Sequence, residues 1–211
     1  KRYGVQFDRI VSTRWVKDAA ELRTWQMDIR QVISDNSLKD IMVEEDTKLI
    51  GVANRIMIAP DATVPFSGGK HWRTLYGGVD RDGLEDAFKT LPMLPSSLET
   101  EKVLINNITI RDIMKGTRNA FGGDLSQDLY QKGWSLVEFM NAEWIITIKR
   151  SLVPDQSMYM FAAPKFMGKL FSLEEPTMWI KREAYLLEFF LYEELGGTIA
   201  NPNSVARVDF A

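Results

Sequence analysis

The sequence predicts an α+β fold, in which helices and strands occupy separate stretches of the chain. Residues 35–57 repeat apolar side chains at intervals of three and four residues, which is the period of a helix. Other segments, among them Trp144–Ile148 and Met158–Ala162, are short runs of β-branched, aromatic and apolar residues that are typical of strands. With 211 residues, 45% of them hydrophobic, the chain is long and apolar enough to fill a sizeable core.

The first thirty residues predict a long two-stranded hairpin. Val5, Phe7 and Val11 fall on one parity, and Thr24–Ile29 alternates in the same way, which is the pattern of half-buried strands. The connecting segment, Ser12–Arg23, is rich in charged side chains and is expected to form an exposed tip.

Large aromatic side chains on such a hairpin need a partner surface to cover them. Phe7, Trp15 and Trp25 are therefore predicted to contact a neighbouring subunit. Residues 1–35 carry seven basic and five acidic side chains, whereas residues 174–211 carry three basic and seven acidic ones. This asymmetry favours head-to-tail attraction between copies, or it is the ordinary scatter of solvated charges.

The long helix is predicted over residues 35–57, with Asp35 or Asn36 as its N-cap. Pro60 ends it, because proline cannot continue a helix. A helix of this length usually acts as a structural spine. The side chains expected to pack it against the body are Leu38, Ile41, Met42, Leu49, Val52 and Ile56.

The middle of the chain predicts a loop followed by short elements. Residues 61–80 contain paired glycines and few periodic apolar positions, so they are expected to form a loop. Residues 84–91 predict a second helix, which the prolines that follow it end. Val103–Asn106 predicts a short buried strand, and Thr109 is the expected N-cap of a helix that runs to Gly116.

The last forty residues predict long strands. Met178–Leu191, the pair Gly196–Gly197 and the closing run Val205–Phe210 are consistent with two strands joined by a glycine-containing turn. Taken alone, Glu183–Glu194 is also compatible with a helix, and periodicity does not decide between the two.

Several classes of chemistry find no support in the sequence. The chain has no cysteine and a single histidine, His71, which excludes disulfides, thiolate nucleophiles and sites built from several histidines. Gly69–Lys70 lacks the flanking residues of a phosphate-binding loop, and the nucleophile elbow is absent. Runs of adjacent carboxylates such as Glu44–Asp46 point in different directions and indicate solvated faces. No catalytic, cofactor-binding or metal-ligating residue is therefore assigned.

The net charge of −3 and the absence of a long basic run disfavour sequence-independent binding to nucleic acid. No stretch approaches the eighteen or so consecutive apolar residues of a membrane-spanning helix, and no membrane partner is expected.

The order of elements and the closing segment resemble the major capsid proteins of tailed bacteriophages, the Hong Kong 97-type fold family. The most specific piece is the run from Gly196 to Val208, which reads GGTIANPNSVARV. Supporting pieces are Asp28–Val32 before the long helix, the strand Trp144–Lys149, and Met158–Gly168. The resemblance covers nearly the whole chain through pattern and order.

This resemblance implies a shell protein with the Hong Kong 97-type capsid fold and no enzymatic activity. Residues 1–34 would be an extended loop (E-loop) and arm, 35–100 a peripheral domain with the spine helix 35–57, 101–170 an axial domain, and 171–211 long strands that return to the peripheral domain. The implied function is a major capsid (head) protein of the virion. It would assemble in the host bacterial cytoplasm into pentamers and hexamers of an icosahedral shell around double-stranded DNA.

The implied partners are copies of the chain itself, with portal, scaffold or decoration proteins and weak, non-specific proximity to packaged DNA. Some family members join subunits by a covalent bond between a lysine and an asparagine. Lys17 lies in the loop where such a lysine would belong, and Asn106, Asn107 and Asn141 are available acceptors. Lys17 is therefore a further subunit-contact candidate, and an upstream segment removed by a maturation protease is expected.

Two other functions stay open at this point. The first keeps the fold and is an encapsulin-like nanocompartment shell that holds cargo enzymes. The second is a soluble α/β enzyme or ligand-binding domain, for which the single histidine and the missing motifs give little support.

Overall fold

The computed structural model describes residues 4–24, 29–58, 71–114 and 137–211. It is a mixed α+β structure, as the sequence predicts. Its contacts divide the chain into two compact units. Unit 1 comprises Lys1–Gly51 with Lys169–Thr198, and unit 2 comprises Val52–Gly168 with Ile199–Ala211.

The described strands and helices are these, in chain order within each class. The strands are β1 (Asp8–Val11), β2 (Trp15–Asp18), β3 (Trp72–Leu75), β4 (Lys102–Asn106), β5 (Val137–Phe139), β6 (Ala142–Thr147), β7 (Ser157–Phe161), β8 (Gly168–Glu183), β9 (Leu186–Ile199) and β10 (Val205–Phe210). The helices are α1 (Ala19–Thr24), α2 (Ile29–Ile58), α3 (Arg81–Phe88), α4 (Asn107–Met114) and α5 (Pro164–Met167), with a 3₁₀ turn at Pro202–Ser204.

Unit 1 is built on the long antiparallel hairpin of β8 and β9. A two-residue turn joins these strands, and Ala184 in it adopts a left-handed φ of 52°. The other edge of β9 pairs with both short N-terminal strands. Strand β1 runs from the pair Asp8↔Leu195 to Val11↔Tyr192, and β2 continues the ladder toward the hairpin turn.

Helix α2 packs on the buried face of this sheet. Over its first part, from Ile29 to Ile41, its inward residues recur every four positions at Ile29, Ile33, Ser37 and Ile41. They meet alternate residues of β9: Phe189 packs with the first two, and Leu191 packs with Ile41 and with Ile10 of β1. Period four on the helix and period two on the strand thus build the core of this unit.

Unit 2 contains a mixed sheet with the strand order β3-β10-β7-β4-β6-β5. Pairs β3/β10 and β4/β6 are parallel, and the other pairs are antiparallel. Its core joins the central strands to helices α3 and α4. Met158, Met160 and Val103 lie fully buried in it, and Trp144 stacks on Phe88 with ring centroids 6.1 Å apart.

The N-terminal prediction is partly wrong. Thr24 ends helix α1 and Ile29 begins helix α2, so neither end of the predicted second strand is a strand, and residues 25–28 lie outside the described part. The predicted tip, Ser12–Arg23, contains β2 and α1 instead. Alternation of apolar and polar side chains indicates a half-buried strand but does not show which strand it pairs with. Here the pairing strand is β9, far along the chain.

The predicted spine helix is confirmed as an element, but it begins at Ile29 and not at Asp35. Asp35 and Asn36 are good N-cap residues, yet residues 29–34 directly before them contain no glycine or proline to stop a helix. Helix α4 also begins earlier than predicted. Its cap is Asn106, whose Oδ1 accepts the backbone N–H groups of Ile108 at 3.0 Å and Thr109 at 2.7 Å.

The C-terminal segment forms strands, and the helix alternative for Glu183–Glu194 is wrong. The glycines do not form the turn. Gly196–Gly197 lies inside β9, where the N-terminal segment approaches closely. A Cβ on Gly196 would lie 2.9 Å from side-chain atoms of both Val5 and Phe7, so the absence of a side chain is what that approach requires.

Candidate assembly surface

The outer strand of the hairpin carries a set of exposed apolar side chains, called here the hairpin apolar surface. Its six members are between 40% and 70% exposed in the single chain. Exposed apolar side chains concentrated on one element of a folded chain mark a candidate interaction surface. Five members lie on the two faces of β8, and the sixth, Tyr185, lies in the turn that follows: Leu170, Phe171, Leu173, Trp179, Ile180 and Tyr185.

The same strand is an edge of its sheet. Among the described strands, β8 pairs with β9 alone, and none of its residues is fully buried. An edge strand presents unpaired backbone N–H and C=O groups that can bind another chain. Pro176 interrupts this row of donors, and Lys169 and Lys181 place charge along it, which are devices that limit uncontrolled edge pairing.

The outer face of helix α2 is a second apolar surface, and it corrects the predicted packing set. Ile41 is 1% exposed and packs inward as predicted, and Ile56 is half-buried. Leu38, Met42, Leu49 and Val52, in contrast, are 36–49% exposed, so they do not pack the helix against its own chain. Two of the buried positions are the small residues Ser37 and Ala53, which hydropathy does not single out.

The predicted subunit contacts have different surroundings. Phe7 is exposed and lies over Gly196, whereas Trp15 is half-buried against the cluster of Ile29, Ile33 and Phe189. Trp25 lies outside the described residues. That these side chains contact a neighbouring copy stays a prediction.

Lys17 is half-buried and its Nζ lies 3.7 Å from a carboxylate oxygen of Glu21. Among the asparagines considered as acceptors, Asn106 is fully buried. Its amide nitrogen donates to the carbonyl of Val153 at 3.1 Å and to Asp155 at 2.8 Å. Those contacts commit Asn106 to the fold, which leaves it no exposed amide for a bond to another subunit.

Ion pairs fasten the short N-terminal strands to β9. Arg9 donates from Nε to Glu194 at 2.8 Å and lies over the ring of Tyr192, 5.4 Å from its centroid. The Tyr192 hydroxyl donates to Glu174 of β8 at 2.8 Å, and this hydrogen bond raises the pKa of Tyr192. One line of contacts therefore joins β1, β9 and β8.

Unit 2 contains a polar network that sequence reasoning missed. Arg207 of β10 is only 11% exposed, and its guanidinium lies 4.2 Å from the ring centroid of Trp72 and 5.3 Å from that of Tyr159. It donates to Asp209 at 2.8 Å and to Ser157 at 3.2 Å. The only sequence signal for it was the arginine inside the apolar run Val205–Phe210.

The network is structural, because its polar groups bind one another. The Trp72 indole N–H also donates to Asp209, at 2.5 Å, and Asp209 accepts from the Ser157 hydroxyl at 2.7 Å. His71 lies beside it, with Nδ1 3.1 Å from the carbonyl oxygen of Val205. The single histidine of the chain is thus engaged by the backbone.

Within the described ranges, no group of three or more histidine, aspartate or glutamate side chains could hold a metal ion. In the same part of the chain, no helix combines the length and the apolar character that crossing a membrane requires.

No protein-family model and no curated protein sequence matches this chain. Several solved structures, in contrast, match this chain. The capsid of the cyanophage P-SCSP1u superposes with a TM-score of 0.69 at 12% identity and covers 98% of this chain and 73% of the capsid chain. The mature capsid of bacteriophage PhiM1 gives a TM-score of 0.64 at 10% identity, with 99% and 72% coverage. A virus-like particle from Pyrococcus furiosus gives a TM-score of 0.56 at 12% identity, with 96% and 76% coverage.

These likenesses extend over nearly the whole of the chain, and phage capsid chains are prominent among them. The resemblance first drawn from the closing segment and the order of elements is thereby confirmed at the level of the fold. The chain has the Hong Kong 97-type capsid fold.

Proposed function

We propose that the chain is a major capsid protein, which self-assembles into pentamers and hexamers of an icosahedral phage head around double-stranded DNA. The observation that carries this proposal is the fold, which matches phage capsid chains over 98–99% of the sequence. Its place would be the virion shell, after assembly in the bacterial cytoplasm. The role is mechanical, and no catalytic residue is part of it.

The hairpin apolar surface supports the proposal. A monomer that left six large apolar side chains of one hairpin in water would be prone to aggregate. A shell covers them, because every copy meets neighbours on several sides. The outward face of α2, with Leu38, Met42 and Leu49, offers further area of the same kind.

We retain the domain assignment as part of the proposal. Residues 1–34 act as an arm and extended loop, 35–100 as the peripheral domain, 101–170 as the axial domain around the capsomer centre, and 171–211 as the returning strands. Unit 1 brings the arm, most of the spine helix and the hairpin together, which supports a peripheral role for that group. Portal, scaffold or decoration proteins are the further partners of such a shell.

Negative-stain electron microscopy with light scattering of the expressed chain tests assembly. Closed shells or capsomer rings are expected. A folded monomer under all conditions of salt, pH and concentration would contradict the proposal.

An encapsulin-like compartment is the second candidate, since a virus-like particle from Pyrococcus furiosus is among the structural matches. Nuclease treatment of particles from the native source separates the two. Protected double-stranded DNA supports the phage head, and packaged protein without DNA supports the compartment.

A further inference from the structure

A glutamate occupies a core position of unit 1. Along β9 the inward residues alternate as Phe189, Leu191 and Glu193, so the carboxyl group continues an apolar row. Glu193 is 3% exposed, and its partner on β1 in the antiparallel register is the buried Ile10. Few positions are less favourable for a charged side chain.

Helix α2 presents a second carboxyl group to it. The inward positions recur every four residues through Ser37 and Ile41, and the next position in that row is Glu45. Glu45 is half-buried, and Lys48 follows it one helical turn later. On Glu193, Oε1 has no hydrogen-bond partner among the described residues.

Burial and the neighbouring carboxyl act on Glu193 in the same direction. Removal from water is the larger cause, the nearby carboxyl group of Glu45 adds to it, and Lys48 opposes it. Together they raise the pKa of Glu193 to about 7.

Other charged groups near this position are engaged or exposed. On β1, Arg9 pairs with Glu194, and Asp8 is exposed beside Leu195. On β8, Glu174 accepts the hydroxyl of Tyr192.

We propose that Glu193, buried in the apolar row of β9 beside Glu45 of helix α2, holds a proton that makes the packing of β9 on helix α2 dependent on pH, firmer in acid and weaker in alkaline solution. This proton is a property of the single chain and does not rest on the proposed assembly. In a shell it would act inside every subunit at once, so one proton per copy would alter the rigidity of the whole particle.

The sign follows from proton linkage. Below the ordinary glutamate pKa of about 4.5, the folded and unfolded chains both hold the proton, so Glu193 makes stability no more dependent on pH there. Between that value and about 7, the unfolded chain releases the proton while the folded chain keeps it, so stability falls as pH rises. Above that range, the folded chain carries a buried charge.

Urea unfolding of the full chain at about pH 5 and about pH 8.5 tests the proposal. The urea midpoint of the wild type is expected to be lower at the higher pH than at the lower one. Glu193→Gln keeps the shape and the donor but cannot ionise, so its midpoint should change less and should exceed that of the wild type at the higher pH. Glu188→Gln is the matched control, because Glu188 lies on β9 and pairs with Arg14 at 3.5 Å; it should keep the wild-type pH dependence.

Carbon-13 NMR of the glutamate carboxyl groups in the folded wild type gives a readout that needs no variant. Glu193 should titrate near neutral pH, and Glu45→Gln should move that midpoint toward the ordinary range. A Glu193 carboxyl that titrates like an exposed glutamate would overturn the proposal. So would a Glu193→Gln variant with the same pH dependence of unfolding as the wild type.

Discussion

At the scale of single residues, a few side chains decide how tightly each unit packs internally. Arg207 is buried among aromatic rings and paired with Asp209, so its removal leaves a carboxylate with fewer donors in a poorly hydrated place. Gly196 allows the N-terminal segment to cross β9 at a distance that no other residue permits. Both residues are needed for packing.

Arg207→Ala is expected to lower the free energy of unfolding by about 3 kcal/mol, because breaking a largely buried pair strands its partner. Arg182→Ala, at an exposed position of β8, is the control and should change the value little. Urea unfolding followed by circular dichroism measures both. Equal effects of the two substitutions would show that the network does not hold unit 2.

Gly196→Ala is expected to destabilise the chain by about 1–3 kcal/mol, because the added methyl group meets Val5, Phe7 and the backbone carbonyl of Gln6 at 2.9–3.0 Å. Gly51→Ala is the matched control within helix α2. No atom lies within 4 Å of its added Cβ, so it should stabilise the chain by about 0.5–1 kcal/mol. The two substitutions should therefore move the thermal midpoint in opposite directions, and a shift of the same sign in both would contradict this description of the crossing.

At the scale of elements, the hairpin β8–β9 is the main candidate for subunit contact. It contributes the core of unit 1 through β9 and an exposed apolar row through β8. One strand is thus committed to folding, while the other is available for assembly.

Trp179→Asp is expected to reduce the assembled fraction by roughly tenfold or more without unfolding the chain, because buried aromatic side chains dominate contact energies. Trp179 is half exposed in the single chain, so the folded subunit tolerates the change. Ile148→Asp alters an apolar site of unit 2 that is even more exposed, 80% against 52%, and should have a smaller effect. Sedimentation measures the assembled fraction, and circular dichroism checks the fold. Normal assembly of the Trp179→Asp variant would show that the hairpin apolar surface is not a subunit contact.

The elements also show what sequence reasoning can and cannot predict. The existence of helix α2 could be predicted, because its periodicity is long and unbroken, but its buried face could not. Ser37 and Ala53 are inward, while Met42 and Leu49 are outward, and hydropathy ranks them the other way. The hairpin turn was missed because Ala184 adopts a left-handed φ that sequence normally reserves for glycine.

The candidate surface was located only in part, for a related reason. Sequence reasoning placed the subunit contacts on the N-terminal segment, at Phe7, Trp15 and Trp25, since that segment alternates and is rich in aromatics. The exposed apolar row of β8 was not recognised, because nothing local distinguishes an edge strand from a central one. Whether a strand lies at the edge or in the centre of a sheet depends on pairing with strands far along the chain.

At the scale of the whole molecule, the fold was inferred from the order of the elements and the residue pattern of the closing segment, because sequence identity was too low to indicate it. Sequence identity to the matched capsid chains is 10–12%, yet the superposition extends over almost all of this chain. The closing segment was the most specific clue in the sequence, and in the structure it contains the crossing at Gly196 and the arginine network of β10. The segment that resembles capsid proteins therefore contributes to the internal packing of each unit.

The measurement that tests the central claim most directly is a cryo-electron microscopy reconstruction of particles assembled from this chain. The account predicts an icosahedral shell of pentamers and hexamers, in which a neighbouring copy covers the exposed side chains of β8. Particles without that symmetry, or a shell in which Leu173 and Trp179 still face solvent, would contradict it.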